Sequence, residues 1–289
     1  MKIKSISTII VSLFVILGLA SWISLGEEDG YFVYLRGKKQ YVVIQGQGEP
    51  TIVFISGKGR THKDFRKVYS KLKKTNTIFA YDRAGLGNSE LIRNNRTVDT
   101  MAYELHELLV KEKLKPPFVL VGQSMGGYIM RCFANLYPEK VSGMVFVEPA
   151  HEYEFKHGIE IRSDSDKVVF RDEFKSYLKA EGRTKGQQAE SKHNFDFDST
   201  GFSSNQRIVK EIPLPSTIPV TVLIARKVDA ENDYIDKEME FRLTYFEKWK
   251  SLNPQTKIIS TFKSGHFIEL DQPSLVIQEI EELIRKNKN

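Results

Sequence analysis

The chain has 289 residues with 40% apolar content, enough for one large domain with a sizeable buried core. Its formal charge of +6 comes from lysines scattered over the whole length, with no dense basic block or interleaved aromatics, which excludes a nucleic-acid groove. The single cysteine, Cys132, excludes an intrachain disulfide and a cysteine-based zinc site.

Lys2 and Lys4 precede an apolar run over 9–20 that Trp22, Ile23 and Leu25 continue. Positive charge before such a run, with Glu27, Glu28 and Asp29 after it, predicts that residues 1–25 are an export signal or an N-terminal membrane anchor. The rest of the chain is then expected outside the cytoplasm, either secreted or associated with a membrane through residues 6–25. Gly18 and Ala20 suit cleavage after Ala20, whereas the stretch 8–25 is near the ~18-residue minimum for a spanning helix.

Alternating stretches at 31–36 and 40–45 around Gly37 predict a hairpin, and 51–55 is a fully apolar strand followed by Ser56-Gly57-Lys58-Gly59. A helix over 61–73 with Phe65 and Val68 inward comes next, then a strand over 75–81 and the loop from Asp82 to Ser89. Met101, Leu105, Leu108 and Leu109 share one face of a helix over 98–113. Further strands are expected at 117–121, 143–147, 220–224 and 258–262, with helices over 125–136, 235–252 and 273–286. Apolar strands alternating with helices predict an α/β fold, a mainly parallel eight-stranded sheet covered on both faces. The interval 148–219 breaks this pattern, being charged and without a core strand, although 168–180 has helical spacing. We read it as a helical cap inserted into a core of 26–147 and 220–289; a partly disordered surface insertion is the alternative.

Directly after the apolar stretch 117–121 the chain reads Gly122-Gln123-Ser124-Met125-Gly126-Gly127. A chain leaving a buried strand and turning sharply into a helix has no room for side chains at 122 and 126, and glycine there leaves Ser124 exposed as a nucleophile elbow. The plainer reading is a Gly-rich turn whose serine caps the helix. A serine hydroxyl needs a base beside it at neutral pH, and histidine supplies one. Of six histidines, His266 follows the last strand and the pair Ser264-Gly265, where it can hang over the sheet edge that holds Ser124.

The loop 55–59, the loop Tyr81 to Ser89, the elbow and Ser264-Gly265-His266, in that order, resemble the α/β-hydrolase superfamily, in its esterase-like branch with an inserted cap, over residues 31–289. The resemblance implies a Ser-Asp-His triad of Ser124, Asp229 and His266, in which the carboxylate fixes the histidine tautomer. Glu148, at the end of the preceding strand, is the alternative acid, and Asp233 a weaker one. Relatives often have a glycine-rich turn where this chain has Ala225-Arg226-Lys227-Val228-Asp229. An oxyanion hole made by the backbone N–H groups of Met125 and Lys58 is implied too. Arg83 and Asp82 are expected to form an ion pair that braces neighbouring loops. The expected reaction is cleavage of a small-molecule ester, thioester or amide through an acyl-enzyme, with no metal or organic cofactor. A cofactor-free haloperoxidase-like enzyme, a carbon-carbon bond hydrolase or a non-catalytic binding protein could share the scaffold.

Overall fold

The structure, a computed structural model, describes residues 30–160, 184–197, 199, 201–227 and 233–287. The expected export segment 1–25, the helical stretch 168–180 and Asp229 lie outside the described residues. Among the described residues, no helix is long and apolar enough to cross a membrane.

Eight strands form one sheet: β1 (Tyr31–Leu35), β2 (Lys38–Gln45), β3 (Thr51–Ile55), β4 (Ile78–Tyr81), β5 (Phe118–Ser124), β6 (Val141–Pro149), β7 (Val220–Ala225) and β8 (Thr256–Thr261). Their order is β1-β2-β4-β3-β5-β6-β7-β8. β2 runs antiparallel to β4, while β4, β3, β5, β6, β7 and β8 pair in parallel. The parallel strands therefore share one carboxyl edge, the edge at which open α/β sheets bind their ligands.

Helices α1 (Arg66–Leu72), α2 (Val98–Lys111), α3 (Gly126–Leu136), α4 (Glu154–Glu160), α5 (Lys185–Phe195), α6 (Ser204–Lys210), α7 (Asp233–Leu252), α8 (Ile268–Asp271) and α9 (Pro273–Lys286) connect and cover the strands. Side chains alternate between faces along each strand, so a strand buried on both sides feeds two cores. Ile52 and Phe54 of β3, with Val119 and Val121 of β5, pack with Val68 and Leu72 of α1 and with Val276 and Ile280 of α9. Val53, Ile55 and Leu120 pack on the opposite face with Leu105 of α2, Ile129 and Phe133 of α3 and Phe246 of α7.

Among the boundaries that differ from the sequence pattern, three lie at an edge of the sheet or in its loops. The helix expected over 61–73 begins as a 3₁₀ turn, His62–Phe65, whose first N–H is drawn off to the Asp82 carboxylate at 3.0 Å. The strand expected over 75–81 pairs only from Ile78, because Asn76 N–H still bonds the Leu72 carbonyl at the end of α1. β6 runs past 147 to Pro149 and carries Glu148 to the carboxyl edge.

Between β6 and β7 the described residues hold α4, α5 and α6 and no strand. α5 and α6 form in poorly apolar sequence because each opens with a capping box. Thr184 and Gln187 exchange side-chain and backbone hydrogen bonds, as do Ser203 and Gln206, so N-terminal N–H groups that would otherwise be unpaired are satisfied.

Candidate active site

Ser124 is the last residue of β5, and α3 begins at Gly126. Its φ of +50° lies in the left-handed region, which costs a non-glycine residue about 1–3 kcal/mol and persists only where neighbours enforce it. The turn around it is sterically tight. A Cβ at Gly126 would overlap the Ile55 carbonyl oxygen, and one at Gly122 would come within 2.8 Å of the Gly126 backbone as well as against Met130 Sδ, so both positions favour glycine at this spacing. Glu148, at the end of the adjacent strand, shares the unusual conformation with φ +45°. The two strand ends are tied where Ala150 N–H donates to the Ser124 carbonyl at 3.3 Å.

His266 sits in the turn between β8 and α8. Asp271 Oδ2 accepts from Ser264 Oγ at 2.9 Å and from Gly265 N–H at 3.2 Å, which folds the turn back on itself. Gln123, the residue before Ser124, donates from Nε2 to the His266 carbonyl at 3.1 Å. The elbow and the histidine turn are thus joined by one side chain. The imidazole is half exposed, and its Nδ1 lies 3.9 Å from Oε1 of the buried Glu148. That carboxylate is otherwise engaged, with Oε1 2.6 Å from Arg242 Nη2 and Oε2 accepting from Ala225 N–H at 2.5 Å. Asp233 opens α7, and Asp229 is outside the described residues.

The loop after β3 passes beside the elbow: a Cβ at Gly57 would stand 3.3 Å from Ser124 Cβ and would overlap Gln123 Oε1. Met125 stands at the N-terminus of α3, and its carbonyl accepts from Tyr128 N–H at 3.0 Å. Lys58 is in the same loop as Gly57, with Nζ 3.6 Å from the centre of the Phe195 ring. Ser56 turns its hydroxyl to the Thr61 carbonyl at 2.7 Å and stiffens the loop.

Arg83 and Asp82 brace loops as expected, but with other partners. Asp82 accepts from Asn88 N–H at 2.9 Å and faces His62 Nδ1 at 2.7 Å. Burial pushes this carboxyl up, and the hydrogen bonds from His62 and Asn88 outweigh it, so the group titrates below its usual value. Arg83 points away from Asp82 into a fully protein-lined niche and pairs with Glu190 of α5. Burial alone would weaken its charge, and the adjoining Glu190 carboxylate more than compensates. The separation is geometric: successive residues leaving a strand project to opposite sides.

The remaining histidines have other settings. His106 stacks on Tyr137 at 3.9 Å, His157 on Phe241 at 3.7 Å, and His193 lies 3.6 Å from Asp196. His151 is buried against Tyr245 and Phe241, and burial with the nearby Arg242 cation lowers it to about 3. Cys132 is buried in α3 and its thiol is pushed up to about 12, which removes it as a nucleophile. Among the described residues no group of three or more His, Cys, Asp or Glu is placed to hold a metal ion. Gln123, Glu190 and Arg242 had no signal in the sequence pattern, since each acts through a partner far away in the chain.

Residues 50–167 match a family model described as alpha/beta hydrolase fold. The chain is 27% identical to the uncharacterized protein YbdG of Bacillus subtilis, over 91% of this chain and 88% of that one. It is 24% identical to an AB hydrolase superfamily protein of Gibberella zeae, over 91% of this chain and 94% of the relative. A thermophilic esterase from Thermogutta terrifontis superposes with a TM-score of 0.59 at 18% identity, covering 90% of this chain and 98% of that chain, a likeness of fold.

Proposed function

We propose that this chain, which has the α/β-hydrolase fold and matches that family's model over residues 50–167, is a serine hydrolase of carboxylesterase type. In this reading Ser124 attacks the carbonyl of an ester, thioester or amide while His266 takes its proton. The imidazolium then protonates the leaving group, and water, deprotonated by the same histidine, releases the acyl group. Asp229 is the acid that orients His266, by the chain order Ser, Asp, His. Glu148 is its rival, supported by the 3.9 Å approach to Nδ1. The N–H groups of Lys58 and Met125 receive the developing oxyanion. Residues 148–219 act as a cap, and residues 1–25 direct the enzyme out of the cytoplasm.

The observation that carries this reading is the left-handed Ser124, held by steric exclusion at the carboxyl edge and linked through Gln123 to the turn of His266. A turn that merely capped α3 has no need of that strain. Ser124 makes no cap hydrogen bond there, the N-cap residue of α3 being Met125 without a side-chain bond. The test is turnover of p-nitrophenyl acetate and labelling by a fluorophosphonate probe. Ser124→Ala abolishes labelling and lowers turnover by about 10⁶-fold, because triad members act as a unit. Unchanged turnover in the folded variant refutes the proposal. Fractionation of cells expressing the full chain tests export: recovery of the enzyme in the cytosol removes that part.

A further inference from the structure

We propose that helix α5 holds the loop after β3 in its working shape through the buried Arg83–Glu190 pair, which makes both residues positioning residues for the oxyanion site. The inference rests on the serine-hydrolase reading above.

Arg83 spends its planar set of donors on two kinds of partner. Nε and Nη2 take the two oxygens of Glu190 at 2.6 and 3.0 Å. Nη1 and Nη2 take the carbonyls of Ser56 and Gly57 at 2.5 and 2.6 Å. The second pair of bonds has a directional consequence. The Gly57 carbonyl and the Lys58 N–H belong to one planar trans peptide and point in opposite directions. A guanidinium that draws the Gly57 oxygen toward itself therefore turns the Lys58 N–H away from itself. Glu190 Oε2 also accepts from Gly59 N–H at 2.8 Å, and Gln187 Nε2 donates to the Gly59 carbonyl at 3.2 Å. The pair thus fixes the peptides on either side of Lys58.

The far end of the same helix reaches the other expected donor. Asn194 Nδ2 lies 2.8 Å from Met125 Sδ, and the Phe195 ring lies under the Lys58 ammonium at 3.6 Å. At its start, Gly186 and Gly85 approach so closely that a Cβ on either would overlap the other's backbone, which seats the helix on the loop after β4. α5 has little apolar surface to drive this docking: Ala189 is its one buried apolar side chain, beside buried Glu190 and Ser191. Polar ties hold it, and the charged pair is the central one. A helix from the segment between β6 and β7 is therefore built into the oxyanion site.

Glu190→Ala and Glu190→Gln test this, with p-nitrophenyl acetate turnover, inhibition by a trifluoromethyl ketone that forms a tetrahedral oxyanion, and thermal melting to establish folding. A loop displaced by ~1 Å lowers kcat by about 10²-fold. The expected order is wild type, then Gln, then Ala, with KM within about twofold and ketone affinity falling in step with kcat/KM, as for a transition-state contact. A folded Glu190→Ala with wild-type kcat overturns the inference, as does a variant in which only KM rises. Should Glu190→Ala not fold, Glu190→Gln, which keeps the shape of the side chain and removes the charge of the pair, takes its place, and an unchanged kcat there overturns the inference. Fluorophosphonate labelling of the wild type separates the two levels. A wild type that is not labelled removes the serine-hydrolase reading and this inference with it; labelling with an unaffected Glu190→Ala removes this inference alone.

Discussion

Glu148 and His266 meet across 3.9 Å, a buried carboxylate oxygen against the Nδ1 nitrogen of a half-exposed imidazole. The same oxygen lies 2.6 Å from Arg242, so its charge is shared between a guanidinium cation and the imidazole ring. That sharing makes Glu148 a weaker orienting acid than a carboxylate devoted to the histidine. With the triad of Ser124, Asp229 and His266, Asp229→Asn lowers kcat on an aryl ester by about 10⁴-fold. Glu148→Gln keeps an acceptor for Ala225 N–H and lowers kcat by roughly tenfold, the scale of one charge-assisted hydrogen bond. Steady-state kinetics on the two variants decide, and a severe loss confined to Glu148→Gln moves the acid to the end of β6.

The strain at Ser124 has a thermodynamic signature of its own. Ser124→Gly relieves a left-handed serine worth about 1–3 kcal/mol and gives back part of that as unfolded-chain entropy, for a net gain near 1 kcal/mol. The variant is expected to melt a few degrees above wild type while losing turnover. A melting temperature below that of wild type would show that the elbow is not strained.

Gln123 links the elbow to the turn of His266 through one bond of 3.1 Å, and its Oε1 lies against Gly57. Gln123→Ala frees the His266 carbonyl and leaves both cores intact. We expect kcat to fall by about 10- to 100-fold through misplacement of the imidazole, with stability changed by roughly 1 kcal/mol. Turnover and denaturant titration measured on one preparation check the pair of effects; equal losses in both would mean that the residue serves the fold alone.

Stability should fall on the alkaline side of neutrality. Glu269, three residues beyond His266, is buried, and no other residue among the described ones donates a hydrogen bond to its oxygens. Burial raises its carboxyl from 4.5 to about 8, opposed by a hydrogen bond from its own backbone N–H and by Arg60, with Asp64 adding to the rise. Between those values the unfolded chain is ionised while the folded chain keeps its proton, so stability drops with rising pH by about 1.4 kcal/mol per unit. His151 works in the other sense. Its folded value of about 3 lies below its ordinary 6.5, so its contribution grows from pH 3 to 6.5. The two cancel from 4.5 to 6.5, and the decline from 6.5 to 8 belongs to Glu269. Melting curves across this range should lose that decline in Glu269→Gln; a decline that persists assigns it elsewhere.

The alternating elements, the two-faced apolar strands and the elbow were legible in the sequence because they depend on short-range patterns. Period-two burial, glycine at two fixed offsets around Ser124 and a buried apolar stretch before it are local rules that each residue obeys with its near neighbours. Ion-pair partners follow no such rule. Asp82 and Arg83 are adjacent and oppositely charged, yet the strand end sends them to opposite sides, one to His62 and the other to Glu190, 107 residues away.

By itself, then, the chain determined the sheet, the order of its elements and the position of Ser124 at a strand end, since backbone sterics and side-chain periodicity act within a few residues. Only the tertiary structure decided what surrounds that serine: Gln123 reaching the turn of His266, Glu148 facing its ring, and α5 clamping the loop after β3. Those contacts depend on which loops the folded sheet brings to one edge, and a hydrogen bond across 100 or more residues leaves no periodic trace in the sequence that makes it.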